Sequence, residues 1–268
     1  PAQLMTTLPV SIQIRDHQLT HLHKESAYEE INAQAIIEYW ERKDGISPEK
    51  KLIVNWRASK QALKEKPRGI QRWHAKWATR HCAVGRMMKI RKDWSHSTCP
   101  LCGQQEETTQ HVLQCAESSR TWNLTLEALN TWLEEQSTEP SLQKAIISHL
   151  QNWRQGSQHK GGRNNPTLQR ILSQQEGIGW YNFILGRHAK GFEEIQHRYY
   201  QSIHSKKTGF RWTVALIKKL MNVAWDMWQH RNSVLHDDPE NYHTKLLTGE
   251  ADRAIEQEFA MDTANLLR

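Results

Sequence analysis

Cys99-Pro-Leu-Cys102-Gly-Gln-Gln-Glu-Glu-Thr-Thr-Gln-His111-Val-Leu-Gln-Cys115 packs three of the chain's four cysteines into seventeen residues. The spacing is C-x2-C-x8-H-x3-C. Two thiolates two residues apart, on a turn eased by Pro100 and Gly103, can grip one side of a tetrahedral ion. His111 and Cys115 are one helical turn apart, so a helix places both on one face. Thr108 or Thr109 supplies the cap for that helix. A mixed sulfur and nitrogen set suits zinc, which imposes no geometry of its own. Cys99, Cys102, His111 and Cys115 are therefore the expected ligands of a structural Zn2+. Four protein ligands close the site and leave no position for a catalytic water. Cys82 and His96 lie nearby, but neither has the paired spacing.

Charge is the next signal outward. The net charge of +7 is unevenly spread. Residues 51–98 carry thirteen Lys and Arg against two acids, a local net of +11. Residues 99–150 stand at −5, residues 151–223 at +9 and residues 224–268 at −5. The strongest basic block thus runs directly into the cysteine cluster. Within it, residues 68–84 are patterned as a helix, with Ile70, Trp73, Trp77 and Val84 on one face. Arg68, Arg72, Lys76 and Arg80 recur every four residues on another. Cations at that spacing repel unless anions lie between them, and this helix has none. The run continues through Arg86, Lys89, Arg91 and Lys92. A cationic face of this kind tracks phosphates, so Arg68, Arg72, Lys76, Arg80, Arg86 and Lys89 are the expected nucleic-acid contacts. RNA or DNA, bound without sequence specificity, is the expected partner.

Hydrophobic periodicity argues for helices almost throughout. Tyr28, Ile31, Ala35 and Tyr39 pattern residues 24–43, and Gly45 ends that segment. Ser47-Pro48-Glu49 starts another helix, running to about Lys64 with Leu52, Trp56 and Leu63 inward. Beyond Cys115 the helix is expected to continue through Trp122, Leu126, Leu129 and Leu133. Pro140 opens one with Leu142, Ile146, Leu150 and Trp153 inside. Short helices are expected near 167–176, 179–187 and 190–204. Long ones follow at 210–235 and 243–267. Alternating Leu8, Val10, Ile12 and Ile14 form a short strand or an extended arm, and no second strand is expected.

The fold expected is all-α: a multi-helix array with the CCHC knuckle between helices. Residues 155–166 (Gln-Gly-Ser-Gln-His-Lys-Gly-Gly-Arg-Asn-Asn-Pro) form a linker or mobile loop. It separates a helical region at 1–154 from another at 167–268. Twelve tryptophans against four phenylalanines supply large anchors for helix packing.

Several chemistries find no support. No run of eighteen apolar residues is present, so no membrane span is expected. Pro1-Ala-Gln-Leu-Met5 has neither the basic nor the apolar segment of a signal peptide. Lacking an initiator Met, it fits a piece of a longer chain. Cysteines at metal spacing, without a disulfide framework, fit a reducing intracellular compartment, nucleus or cytoplasm. Leu235-His-Asp-Asp238 superficially resembles a polymerase carboxylate turn, but a helix precedes it and Pro239 follows, which fits a helix end. No catalytic residues are expected: nothing forms a nucleophile arrangement, a Gly-rich phosphate loop or a pair of carboxylates on strands.

The run His81-Cys-Ala-Val-Gly-Arg-Met-Met88, then Cys99-Pro-Leu-Cys-Gly103 and Glu107-Thr-Thr-Gln-His-Val-Leu-Gln-Cys115, resembles the zinc-binding region that follows the reverse transcriptase domain in retrotransposon-derived, non-LTR-like polyproteins. Trp225-Asp-Met-Trp-Gln-His-Arg-Asn232, with His236, is similar to the far C-terminal part of such chains. The resemblance implies the ligand set Cys99, Cys102, His111 and Cys115, and a role in holding RNA or target DNA. The family's polymerase palm motif and RNase H carboxylates are absent from this sequence. What is implied is a non-catalytic accessory region, separated from its catalytic partner or encoded alone. The alternative is a protein-interaction scaffold in which zinc only staples helices. Polymerase or nuclease domains of the same polyprotein would then be its partners.

Overall fold

The computed structural model describes residues 12–14, 17–19, 38–39, 41–43, 46–157, 165–237 and 242–260. The expected helix at 24–43 falls mostly outside them, as do Leu8, Val10, Asp238, Pro239 and most of the 155–166 segment. The chain divides into two units, residues 1–53 and 54–268.

In the first unit, β1 (Ile12–Ile14) pairs antiparallel with β2 (His17–Leu19), Ile12 opposite Leu19 and Ile14 opposite His17. The sequence reading missed this second strand, whose three residues are too short for a period of two to register. The unit ends with α1 (Pro48–Ile53).

The second unit holds the elements that follow. The helix expected over 48–64 does not run through. Val54 pairs with Ala189 as an isolated β-bridge, and the Asn55 amide donates to the His188 carbonyl at 2.8 Å. The Asn55 side chain then accepts from the Ala58 amide and caps α2 (Trp56–Lys64). The buried side of α2 is Ala58 and Ala62, not Trp56.

Next comes α3 (Arg68–Ala78), which buries Trp73, His74, Trp77 and Ala78. It stops six residues short of Val84. The His81 amide donates to the Lys76 carbonyl at 2.7 Å and the Arg80 amide to the Trp77 carbonyl at 3.1 Å. This is a Schellman turn with Arg80 in the left-handed position that glycine usually takes, φ 62°. α4 (Gly85–Ile90) closes in the same way, with Lys92 at φ 65°.

α5 (Thr109–Gln114) ends at Cys115, whose ψ of 126° breaks the helix. The expected continuation is therefore replaced by a 3-10 turn, Ala116–Ser118, before α6 (Ser119–Glu135). α7 (Pro140–Arg154) packs against α6, burying the expected Leu142, Ile146 and Leu150 against Trp122, Leu126, Leu129 and Leu133. α8 (Pro166–Ile178), α9 (Trp180–Ile184) and α10 (Gly191–Ser202) follow. The segment read as a boundary at 155–166 lies within this unit. Helices on its two sides pack together, and His149 of α7 stacks on Trp180 of α9 at 4.6 Å.

The organising element is α11 (Gly209–His236). At 28 residues it spans about 42 Å. Fourteen of its residues are buried, and α2, α5, α6, α9 and α10 all pack on it. Trp225 and Trp228 meet Trp73 and Trp77 of α3 edge-on, at 4.9 and 5.7 Å between ring centroids. The tryptophans act mainly as packing anchors: Trp77 and Trp122 are fully buried, and Trp212 donates to the Thr138 hydroxyl at 3.0 Å. α12 (Tyr242–Ala260) comes last. The architecture of the described residues is all-α apart from the small hairpin, and a Cys/His cluster sits between helices.

Candidate metal centre

Backbone pairing builds the first half of the cluster. Thr98 bridges Glu106, the Cys99 amide donates to the Gln105 carbonyl, and the Gly103 amide donates to the Cys99 carbonyl, the last two at 2.8 Å. Gly103 takes φ 66°, a conformation that costs glycine nothing, and so closes the turn that presents Cys99 and Cys102. α5 carries the second half. Thr108 caps it by accepting from the His111 amide at 3.0 Å, which settles the choice between the two threonines. Thr109 instead exchanges a hydrogen bond with the buried Tyr181 hydroxyl.

These elements bring the four expected ligands together. Their donor atoms all lie within 4.8 Å of one another. Cys99 Sγ and Cys115 Sγ stand 3.9 Å apart, and Cys102 Sγ lies 3.6 Å from His111 Nε2. A disulfide needs about 2.05 Å, so Cys99 and Cys115 are not bonded to each other. Metal–sulfur bonds of about 2.3 Å and metal–nitrogen bonds of about 2.0 Å give tetrahedral edges of roughly 3.8 Å between sulfurs and 3.5 Å between sulfur and nitrogen. These two separations lie within about 0.1 Å of those edges, and the four donors are grouped closely enough that they could hold a metal ion.

Hydrogen bonds within the cluster couple the protonation of its side chains. Cys115 is held down to about 4 by the hydrogen bond from the Cys99 thiol and then by His111. That same shared hydrogen bond, with burial, pushes the Cys99 thiol up. The His111 imidazole is raised, first by its hydrogen bond to Cys115. Cys99 and Cys115 are buried while Cys102 and His111 are half-buried, so an ion here would be largely shielded from water. Four protein ligands would complete its shell. The chemistry such an ion supplies is cross-linking of the turn to α5.

Two supports around the cluster were not found from the sequence. Arg154, at the end of α7, donates to the Leu113 carbonyl and, at 2.7 Å, to the Cys115 carbonyl. It thereby satisfies the open end of α5, the helix that carries His111. The other is Glu107. Its carboxylate is fully buried and takes two hydrogen bonds from Arg231 of α11, Nε to Oε1 at 2.6 Å and Nη2 to Oε2 at 2.7 Å. Oε2 also accepts from the Gly85 amide at 2.6 Å, and the Glu107 amide donates to the Ser97 carbonyl at 2.7 Å. A β-carbon at Gly85 would stand 2.6 Å from that same Ser97 carbonyl oxygen, so α4 can approach this closely only with glycine there. Arg231 shares an apolar face with Trp228 and Leu235, and a lone cation on such a face is a readable sign of a buried partner. Glu107 gives no such sign.

Cys82 and His96 stay outside the cluster. Cys82 is buried, its thiol pushed up to about 12 by burial and directed at the Trp73 carbonyl. His96 stacks on Trp94 and shares a hydrogen with the Thr98 hydroxyl at 2.7 Å.

The basic residues divide by position. Arg68, Arg72 and Lys76 are exposed along α3, which carries no acid. Arg80 is exposed but lies beyond the helix in the Schellman turn, a correction to its expected place on the stripe. Arg86 and Lys89 are exposed on α4, and Arg86 Nη1 meets the exposed Glu106 carboxylate at 3.6 Å. The Leu235-His-Asp segment is a helix end, with Asp237 donating its amide to the Ser233 carbonyl. Among the described residues no helix is long and apolar enough to cross a membrane. Compared with family models, with curated proteins and with solved structures, the chain finds no match.

Proposed function

We propose that this chain is a zinc-stabilised, non-catalytic nucleic-acid-binding module, the accessory region of a retroelement reverse transcriptase. The observation that carries the reading is the exposed cationic side of α3, in the basic stretch that precedes the Cys3His cluster along the sequence. Trp73 and Trp77 anchor the helix inward, and Arg68, Arg72 and Lys76 stand outward with no acid on the same helix. Such a face gains affinity for a polyanion by releasing condensed counterions. Zinc is the ion that best suits three thiolates and one imidazole in a closed tetrahedron. The resemblance of residues 81–115 and 225–236 to retrotransposon-derived chains supplies the biological setting.

Metal analysis paired with a salt series tests this reading. Purified chain should carry one zinc per molecule, and Cys102→Ser should lose it. Affinity for RNA or DNA should fall linearly on logarithmic axes as salt rises, with a slope near 0.7 to 0.9 per phosphate contacted. Arg72→Glu, Lys76→Glu and Arg80→Glu together should remove most of that affinity with the zinc content unchanged. Binding that ignores both salt and this triple substitution would overturn it and favour the protein-interaction scaffold.

A further inference from the structure

We infer that a cavity beside the knuckle takes one unstacked base of a single-stranded nucleic acid; the inference rests on the nucleic-acid reading above and deepens it. The cavity measures about 440 Å³. Met88, Trp94, Trp228 and Leu235 give it apolar and aromatic walls, and Asn232 and His236 supply its polar edges. Arg231 also borders it, but Nε and Nη2 are committed to Glu107 and Nη1 donates to Asn232 Oδ1 at 3.1 Å. Those bonds use three of its five N–H groups, and the Asn232 amide nitrogen is a further donor group on this wall. The volume lies toward the lower end of the range of small-ligand sites, large enough for a planar heterocycle and too small for a helix.

Charge placement selects the occupant. The α3 and α4 Schellman turns put Arg80 and Lys92 in left-handed conformations. Arg91 Nη2 donates to the His81 carbonyl at 3.0 Å and so holds the two turns side by side. Arg80, Arg91 and Lys92 are exposed, and each lies within three residues of a cavity wall, Ala83 or Trp94. Asp93 is the one acid in these turns, and Glu250 of α12 is held by the Ser95 hydroxyl. With Arg86 and Lys89 of α4, these exposed cations outnumber the acids at this border, Asp93, Glu250 and Asp237 beside His236. A ligand that pairs an uncharged ring with flanking anions fits, and a nucleotide within a strand is such a ligand. A base inside a duplex enters such a cavity only by leaving its stack, so single strands are preferred.

The test compares a labelled oligothymidylate with an abasic oligomer of equal length and a duplex, by fluorescence anisotropy on the zinc-loaded chain. The base-bearing strand should bind roughly tenfold more tightly than the abasic one. Ala83 is exposed on the cavity border, so Ala83→Trp should fill the space without disturbing the core. It should abolish the tenfold advantage while leaving abasic affinity and the salt slope unchanged. Equal binding of base-bearing and abasic strands to the unmodified chain would overturn the base pocket and leave the cationic surface standing. No binding to either would overturn both.

Discussion

At the scale of single residues, the contact that decides most is Glu107 with Arg231. The two are 124 positions apart and fully desolvated, and their bidentate geometry meets the requirement that buried charges be paired. Removing one partner leaves the other charged and stranded. Arg231→Met or Glu107→Leu alone should cost about 3–5 kcal/mol, and the two substitutions together should recover a large part of that. Denaturant unfolding of the four chains measures the coupling; strictly additive losses would show that the pair is not a unit. At this scale the sequence was legible where spacing carries meaning. The four clustered side chains follow from short-range pattern, as does a threonine cap at 108 or 109, of which the structure uses Thr108. Glu107 and Arg154 do not, because their roles depend on neighbours brought from far along the chain.

At the scale of elements, helix ends proved harder to read than helix interiors. The buried stripes of α6, α7 and α11 fall where hydrophobic periodicity puts them, since a 3.6-residue repeat is a local property. The ends shifted for tertiary or conformational reasons. Asn55 caps α2 because Val54 is drawn into a bridge with Ala189. α3 ends at Ala78 although nothing in its sequence breaks it. The α6 and α10 helices close in Schellman turns with Ser137 and His204 at φ 52° and 54°. Sequence signals favour glycine there, and its absence hides the turn. Ser137→Gly and His204→Gly should each stabilise the fold by about 0.5–1 kcal/mol, because a β-carbon is disfavoured in the left-handed region. Thermal unfolding checks this, and a lowered midpoint for both would refute it.

At the scale of the whole molecule, two buried histidines tie stability to pH. His188 is fully buried between Phe183 and Phe192, its Nε2 shares a hydrogen with the Phe183 carbonyl, and burial depresses it to about 3. His74 is depressed to about 4, first by burial and then by the charge of Arg187. Both titrate near 6.5 when the chain is unfolded. Below that pH the unfolded chain binds protons that the folded chain refuses, so stability falls with acidity and is unaffected above it. By pH 5 the loss should be about 2 kcal/mol for each histidine. Urea midpoints at pH 7 and pH 5 measure this, and His188→Phe should flatten its share of the slope. Equal slopes in the parent and this variant would exclude the assignment.

Arg231 gives the cysteine turn an address far downstream. An excised peptide spanning only residues 81–115 would keep every ligand yet strand the Glu107 carboxylate without its guanidinium. The Cys/His cluster is thus no autonomous finger to be grafted elsewhere. Its smallest transferable unit must include α11, and any shortened version ending before Arg231 forfeits the clasp.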